Sequence, residues 1–374
     1  MKTQRIPLPQ GINEGMPPLE VSDNITSFFE FWPAWAMYTP VILQWIALSA
    51  RYRSLSLPLI ANPSIPLSGM VGESKADILN LASQDSAKSI CQFTTYFRSP
   101  DSSAEEDAKK ALSAYYQKGL SLPLVAKPDL GCRGAGVRLI NQESQLIEYL
   151  QAFPSNAKLL LQERSIYQAE AGVFYVRYPG QKQGKIISIT LKYTPWVIGD
   201  GISNLKELIM ADKRAGKLSH IYLDRHQDKL DTVLESGQAF RLAFAGSHSR
   251  GSIFRNGNQY ITDALSQSLD TFFDGVPGYH FGRLDLKFKD IEALMQGKHY
   301  QVLEINGASS EATHIWDSRT SLFEAFNTLL KQYQILFKIG ALQRKKGHKP
   351  PSLWQLYKAW KEEKSWVKDY PSTD

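Results

Sequence analysis

Apolar and polar residues alternate over His280 to Phe288 (HFGRLDLKF) and over Tyr300 to Ile305 (YQVLEI), and this period of two predicts a half-buried β-strand for each. The intervening KDIEALMQGKH lets the two strands pair as a hairpin. Apolar runs bounded by turn residues predict further strands over Leu122 to Ala126, Val137 to Ile140, Lys158 to Gln162, Val173 to Tyr178, Ile186 to Leu191 and Ala239 to Phe244. Helices are expected near Ser74, over Ala104 to Lys118, from Asn204 after Gly199, Asp200 and Gly201, and over Ser318 to Phe337. The stretch LIANPSIPLSGMVGESK, Leu59 to Lys75, collects Asn-Pro, Ser-Gly and Val-Gly pairs and reads as a loop, either a scaffold turn or the wall of a ligand pocket.

The most apolar stretch, Phe28 to Ala50, carries one charge, Glu30, and is divided by Pro33 and Pro40. Thr39 followed by Pro40 reads as an N-cap and first helical position. The helix left, Pro40 to Arg51, falls short of the roughly 20 residues that cross a bilayer. A buried helix is expected, with peripheral membrane contact through the Trp and Phe residues as the alternative. At 374 residues, 43% hydrophobic and 21% charged, the chain has the composition of a soluble protein of two or three lobes. Of its net charge of +6, five come from Lys338 onward, where nine Lys and Arg face four Asp and Glu, so the body is nearly neutral and the basic tail looks solvated. Without a basic stripe or a groove-entering module, nucleic acid is not expected as a partner. Two cysteines, Cys91 and Cys132, are too few for a disulfide framework, and MKTQRIPLPQGINEG lacks the apolar core of a signal peptide. Both suggest a cytoplasmic protein.

Chemistry concentrates first in AKPDLGCRGAGV. Gly131, Gly134 and Gly136 lie between two predicted strands, so backbone N–H groups can approach an anion with no Cβ in the way, and Lys127 stands at the entrance as a point charge for phosphate. The loop lacks the Gly-Lys-Ser/Thr ending of a Walker A motif, and a strand follows it rather than the helix of a Rossmann fingerprint. Cys132 reads as a small filler beside Arg133. In GRLDLKF, Arg283 and Asp285 share one face of a strand; in VLEING, Glu304 and Asn306 do the same. Paired, the strands gather hard oxygen donors suited to Mg²⁺ that shares its shell with nucleotide phosphates and water. Taken singly, each strand reads equally well as a half-exposed edge with an ion pair.

The ordered set of Lys-Pro strand, glycine-rich loop, QER strand, Arg-x-Asp and Glu-x-Asn resembles the ATP-grasp superfamily, and within it the D-alanine:D-alanine ligase-like carboxylate-amine ligases. The resemblance covers roughly residues 120 to 335. It implies an α+β ATP-grasp fold, two α+β subdomains sandwiching ATP, behind an N-terminal α/β lobe. The expected division is an N-terminal lobe over 1–120, a lid subdomain over 121–200, a metal-bearing subdomain over 201–340 and a basic tail over 341–374. It assigns phosphate contacts to Lys127 and Lys192, the adenine hinge to Gln162 and Glu163, and the ribose hydroxyls to Glu170. Asp285, Glu304 and Asn306 become ligands of one or two Mg²⁺, with Mn²⁺ as a substitute, and Arg283 the arginine near the tetrahedral intermediate. The resemblance adds a further upstream lysine, Lys88, with Lys75 as the alternative. The segment VIGDGISNLKELI is similar to glutathione-synthetase and cyanophycin-synthetase ligases, whereas NGASSEATHIWD lacks the usual Ser-Pro-Gly after the asparagine.

The reaction so implied activates a carboxylate as an acylphosphate and passes it to an amine, with small-molecule substrates such as an amino acid or small peptide. Arg283 and backbone N–H groups from Gly307 to Ser310 would stabilise the oxyanion. His248, Arg250, Gly307, Ser310 and His314 are candidate substrate contacts, a lone histidine being as readily structural. A small-molecule kinase and a non-catalytic scaffold are the alternatives. The substrates and the oligomeric state are not written in the sequence.

Overall fold

A computed structural model describes residues 4–21, 26–27, 29–30, 32–131 and 134–373, so Cys132 and Arg133 lie outside the described residues. In place of the expected α/β lobe, the residues before Phe93 form one antiparallel pair, β1 (Gln4–Ile6) with β2 (Leu19–Val21), and helices α1 (Ala34–Tyr52), α2 (Lys75–Leu79) and α3 (Gln84–Ala87). Helix α1 does not start at Pro40. Pro33 is its N-cap, its carbonyl accepting the N–H groups of Ala36 and Met37, and Pro40 sits inside the 19-residue helix. Proline there deprives the Ala36 carbonyl of its helical donor. Burial of Met37 and Val41 against Ala325 and Leu329 offsets that loss, and the Thr39 hydroxyl donates to the Trp35 carbonyl at 2.6 Å. Nor is α1 buried as expected, because Trp35, Ile42, Leu43 and Ile46 lie on its exposed side. Among the described residues no helix is long and apolar enough to cross a membrane.

Four strands make the smaller sheet: β3 (Phe93–Phe97), β4 (Leu124–Pro128), β5 (Arg138–Ile140) and β6 (Lys158–Glu163), in the order β3-β6-β4-β5 and antiparallel throughout. Helices α4 (Ala104–Tyr116) and α5 (Glu143–Ala152) cover one face with Ala104, Ala108, Ala111, Leu112 and Tyr115, and with Leu146, Tyr149 and Leu150, the spacing of an apolar helical stripe. The boundary expected at 120 therefore cuts through this unit, since β3 pairs with β6 and α4 shares its core.

A satellite pair, β9 (Trp196–Ile198) and β10 (Ala239–Arg241), packs with α6 (Leu205–Ala211) and α7 (Ser219–Arg225). The larger sheet takes β7 (Ala169–Val176), β8 (Lys185–Tyr193), β11 (Ile253–Asn256), β12 (Phe281–Phe288) and β13 (Tyr300–Asn306), in the order β11-β8-β7-β12-β13. The boundary expected at 200 divides this sheet, because β7 and β8 pair with later strands. Its back is closed by α8 (Asp263–Asp274), whose Leu265, Leu269, Phe272 and Phe273 meet Val173, Tyr175, Ile189, Leu191, Leu284 and Leu286 in one core, with Ile291 and Leu294 of α9 (Ile291–Met295) joining them. By the period of two, the alternate residues of β7, β8 and β12 face the other way, and these carry the polar groups. Helix α10 (Leu322–Lys345) runs on past Phe337, where it was expected to end, into the start of the basic tail, because Ile339, Gly340 and Gln343 are buried. The tail beyond it is not free either: α11 (Leu353–Val367) and the residues after it lie against the smaller sheet's unit.

The loop from Leu59 to Lys75 is tied to the larger sheet by Asn62. Its side-chain oxygen accepts the N–H groups of His280 (2.8 Å) and Phe281 (3.0 Å), and its amide donates to the carbonyls of Phe281 (2.8 Å) and Ser68 (3.2 Å), with Asn62 itself fully buried. Replacing Asn62 with alanine strands four polar groups. The variant is expected to lose about 3 kcal/mol in urea unfolding, against less than about 1 kcal/mol for an exposed asparagine replaced the same way.

Candidate functional site

On the polar face of the larger sheet, Asp285 lies directly opposite Glu304, and Arg283 directly opposite Asn306. Strict alternation would put Glu304 and Asn306 on the same side as the core residue Val302. The register shifts between Asp285 and Leu286, where Val302 pairs with Leu286, so Leu303 is left over as a bulge and the two polar residues are re-aimed to the site. Two carboxylates opposed across neighbouring strands repel, and the structure surrounds them with cations. Arg283 grips Asp285 through Nε (2.8 Å) and Nη2 (3.1 Å), Lys192 Nζ lies 3.0 Å away, and Asn306 Nδ2 donates to it at 3.4 Å. Burial alone would raise the Asp285 pKa, but Arg283 and Lys192 hold it well below the ordinary carboxylate range. A Cβ on Gly172, the β7 neighbour of Asp285, would come within 2.9 Å of the Arg283 side chain and 3.2 Å of Asp285 Oδ1, so the bare backbone makes room for the pair.

The next row of this face places Glu170 beside Lys192 (3.3 Å) and Lys287 (3.6 Å). A Cβ on Gly246 would fall 2.0 Å from Glu170 Oε1, so the AGSHSRG loop abuts that carboxylate through a glycine. From the smaller sheet, Lys127 Nζ (3.2 Å) and Gln162 Nε2 (3.3 Å) both donate to the carbonyl of the bulged Leu303, which joins the two sheets beside Glu304. Burial pulls the Lys127 pKa down, with Glu304 opposing. Glu163 turns away from the larger sheet, its carboxylate accepting the Gln92 N–H at 2.7 Å. Lys75 Nζ donates to the Gly131 carbonyl and lies 3.8 Å from Glu304. Lys88 does not reach this cluster: it is exposed at the end of α3, where the i,i+3 spacing pairs it with Asp85 at 2.7 Å. Lys75, not Lys88, is the upstream lysine at the site.

Among the described residues no group of three or more His, Cys, Asp and Glu side chains is poised to hold a metal ion. The donor set is two carboxylates and one amide, all hard oxygen donors on adjoining strands. That set fits Mg²⁺ when phosphate oxygens supply the rest of its shell.

No family model matches the chain, and a comparison with curated proteins finds no match. Among solved structures it is similar to the D-alanine–D-alanine ligase of Bacillus anthracis, at 12% identity and a TM-score of 0.41 over 76% of this chain and 72% of that one. It is also similar to the ATP-grasp ligase PsnB, at 14% identity and a TM-score of 0.34 over 70% and 60%, and to a bifunctional glutathione synthetase from Pasteurella multocida, at 15% and 0.34 over 69% and 36%. The chain thus spans about a third of the length of that synthetase.

The substrate-side residues expected of an ATP-grasp ligase divide in the structure. The N–H groups of Ala308 and Ser309 donate to the carbonyls of Ser68 (2.8 Å) and Gly69 (3.0 Å), and that of Ser310 to Gly307 (3.1 Å), so these donors are spent on the backbone rather than free for an oxyanion. The Ser310 hydroxyl also turns inward, donating to the Gly307 carbonyl at 2.6 Å. Gly307 itself must be glycine, since a Cβ there would sit 2.2 Å from the Ser68 carbonyl oxygen. His248 bonds Glu30 at 2.9 Å and stacks on Trp316, which fastens the N-terminal segment. Arg250 lies in the same turn, its carbonyl accepting from Arg225 at 3.3 Å. His314 bonds Ser188 at 2.6 Å on the polar face.

Gly172 and Lys287 escaped the sequence reading. The alternation that marked Arg283 and Asp285 continues to Lys287 and could have found it; nothing local marks Gly172.

Burial lowers the His314 pKa to about 4 against the opposing pull of Asp317. A histidine kept neutral in the fold takes up its proton more readily when unfolded. Its stabilisation is complete above the unfolded value and lost as pH falls from about 6.5 to about 4. Urea unfolding is expected to show His314 contributing a loss on the order of 2–3 kcal/mol over that interval, a slope that His314→Gln removes.

Proposed function

We propose that the chain is an ATP-dependent carboxylate–amine ligase acting on small molecules. The observation that carries this is the directly opposed pair Asp285 and Glu304, with Asn306 two pairs further, facing Lys75 and Lys127 at the meeting of the two sheets. A merely structural strand pair gains nothing from opposing two carboxylates, whereas a site for a metal–nucleotide complex needs both.

In this reading Asp285, Glu304 and Asn306 hold Mg²⁺, which when bound neutralises phosphate oxygens as a Lewis acid. Lys127 and Lys192 take the phosphates as point charges, and Glu170 the ribose hydroxyls. A substrate carboxylate oxygen attacks the γ-phosphorus of ATP, the bond to the β-phosphate oxygen breaks, and ADP leaves behind an acylphosphate. The amine nitrogen then attacks the acyl carbon, its proton passes to solvent, and inorganic phosphate departs with the C–O bond electrons. Arg283 is the fixed positive charge nearest the developing oxyanion. The glycine-rich loop excludes water that would hydrolyse the acylphosphate.

Pools of amino acids and small acids incubated with ATP and Mg²⁺ test the proposal. ADP and orthophosphate should appear together with a new amide. ADP without orthophosphate, beside a stable phosphorylated product, would make the protein a kinase instead.

A further inference from the structure

The three glycines of the loop bear no side chains with which to fix its shape, and all three have positive φ: +125° at Gly131, +73° at Gly134 and +69° at Gly136. Such a loop pays the largest backbone entropy of any sequence unless its neighbours restrain it. Thr373, almost at the end of the chain and buried, accepts the Gly136 N–H at 3.1 Å and donates its own hydroxyl proton to the Gly134 carbonyl at 2.8 Å. Tyr370 stacks on Phe153 of the smaller sheet's core with centroids 5.6 Å apart, and a Cβ on Gly131 would meet its ring at 3.2 Å. Glu363 of α11 accepts the Gly72 N–H at 2.6 Å, next to the Glu73–Lys75 segment that reaches the site. On the loop's other side, a Cβ on Gly134 would meet Ser247 at 3.4 Å.

We propose that the C-terminal segment is part of the nucleotide site: Thr373 and Tyr370 are positioning residues, Thr373 holding the Gly134–Gly136 turn in place for phosphate and Tyr370 packing beside Gly131. Thr373 does so by one hydroxyl that bridges both ends of the Gly134–Gly136 turn. The inference rests on the ligase reading for what the loop binds, but not for what holds the loop.

The test compares the full chain with Thr373→Val, which keeps the shape and loses the hydroxyl, and with Thr373→Ser, which keeps the hydroxyl. Hydrogen exchange of the peptide spanning 129–138, without nucleotide, should quicken roughly tenfold in the valine variant and return to the wild-type rate in the serine variant. The KM for ATP should rise about tenfold in the valine variant, by more than kcat falls, and be restored by serine. Unchanged exchange in Thr373→Val would overturn the proposal, as would faster exchange with an unaltered KM. A wild-type chain that binds no ATP sinks the ligase reading and the nucleotide half of this one, while the exchange experiment still decides whether the tail holds the loop.

Discussion

Asp285→Asn is expected to abolish ATP-dependent turnover, by about a thousandfold or more, and to destabilise the fold as well. The activity loss follows from removing one of two carboxylates assigned to the metal–nucleotide complex. The stability loss follows from burial, because Arg283 would keep its charge without the carboxylate it grips and Lys192 would be left with Glu170 alone. Breaking a buried pair this way costs about 3 kcal/mol or more. The pH dependence has the same origin. A carboxylate whose folded pKa is depressed contributes stability above its unfolded value, near pH 4, and loses it as pH falls toward the folded one. Acid unfolding of the wild type should therefore steepen below about pH 4, and Asp285→Asn should remove that part. A second change, Lys192→Met, should return some stability to Asp285→Asn and none of the activity.

Glu304→Gln is expected to lose activity to a similar degree, at least about a hundredfold, yet to leave unfolding within about 1 kcal/mol of the wild type. Its side chain is 28% exposed, and its nearest cation, Lys75, stands 3.8 Å away, so water takes over when the charge is removed. The two carboxylates are paired in register but differ in burial, and only a functional role predicts that both substitutions stop turnover. ADP release with chemical denaturation on the same samples separates the two effects.

The polar pattern of β12 was legible because a period of two is local: Arg283, Asp285 and Lys287 announce one face by themselves. Glu304 and Asn306 were legible as a pair. Their distance from Val302's face was not, because the bulge at Leu303 depends on the register with β12 and on Lys127 and Gln162, which take its freed carbonyl. Lys75 and Lys88 look alike in sequence; only the packing of α2 against Asp129, whose carboxylate accepts the Ser74 hydroxyl and the Ala76 N–H, aims the first at the site. The tail was misjudged for a related reason. Charge counted along the chain marked it as solvated, while its half-buried residues, Trp366 and Tyr370, are spaced to meet a core that lies more than 200 residues earlier. The resemblance implies an oxyanion role for the N–H groups from Gly307 to Ser310, and the capture of those of Ala308 and Ser309 by Ser68 and Gly69 is a long-range contact no local pattern announces.

Binding of a metal–nucleotide complex between the two sheets can be tested before any substrate is known. Calorimetric titration of the full chain with ATP should give saturable binding that requires Mg²⁺ and is lost in Glu304→Gln, a variant whose fold is expected to persist. No binding at millimolar ATP, or binding equally tight without Mg²⁺ and in Glu304→Gln, would contradict the account.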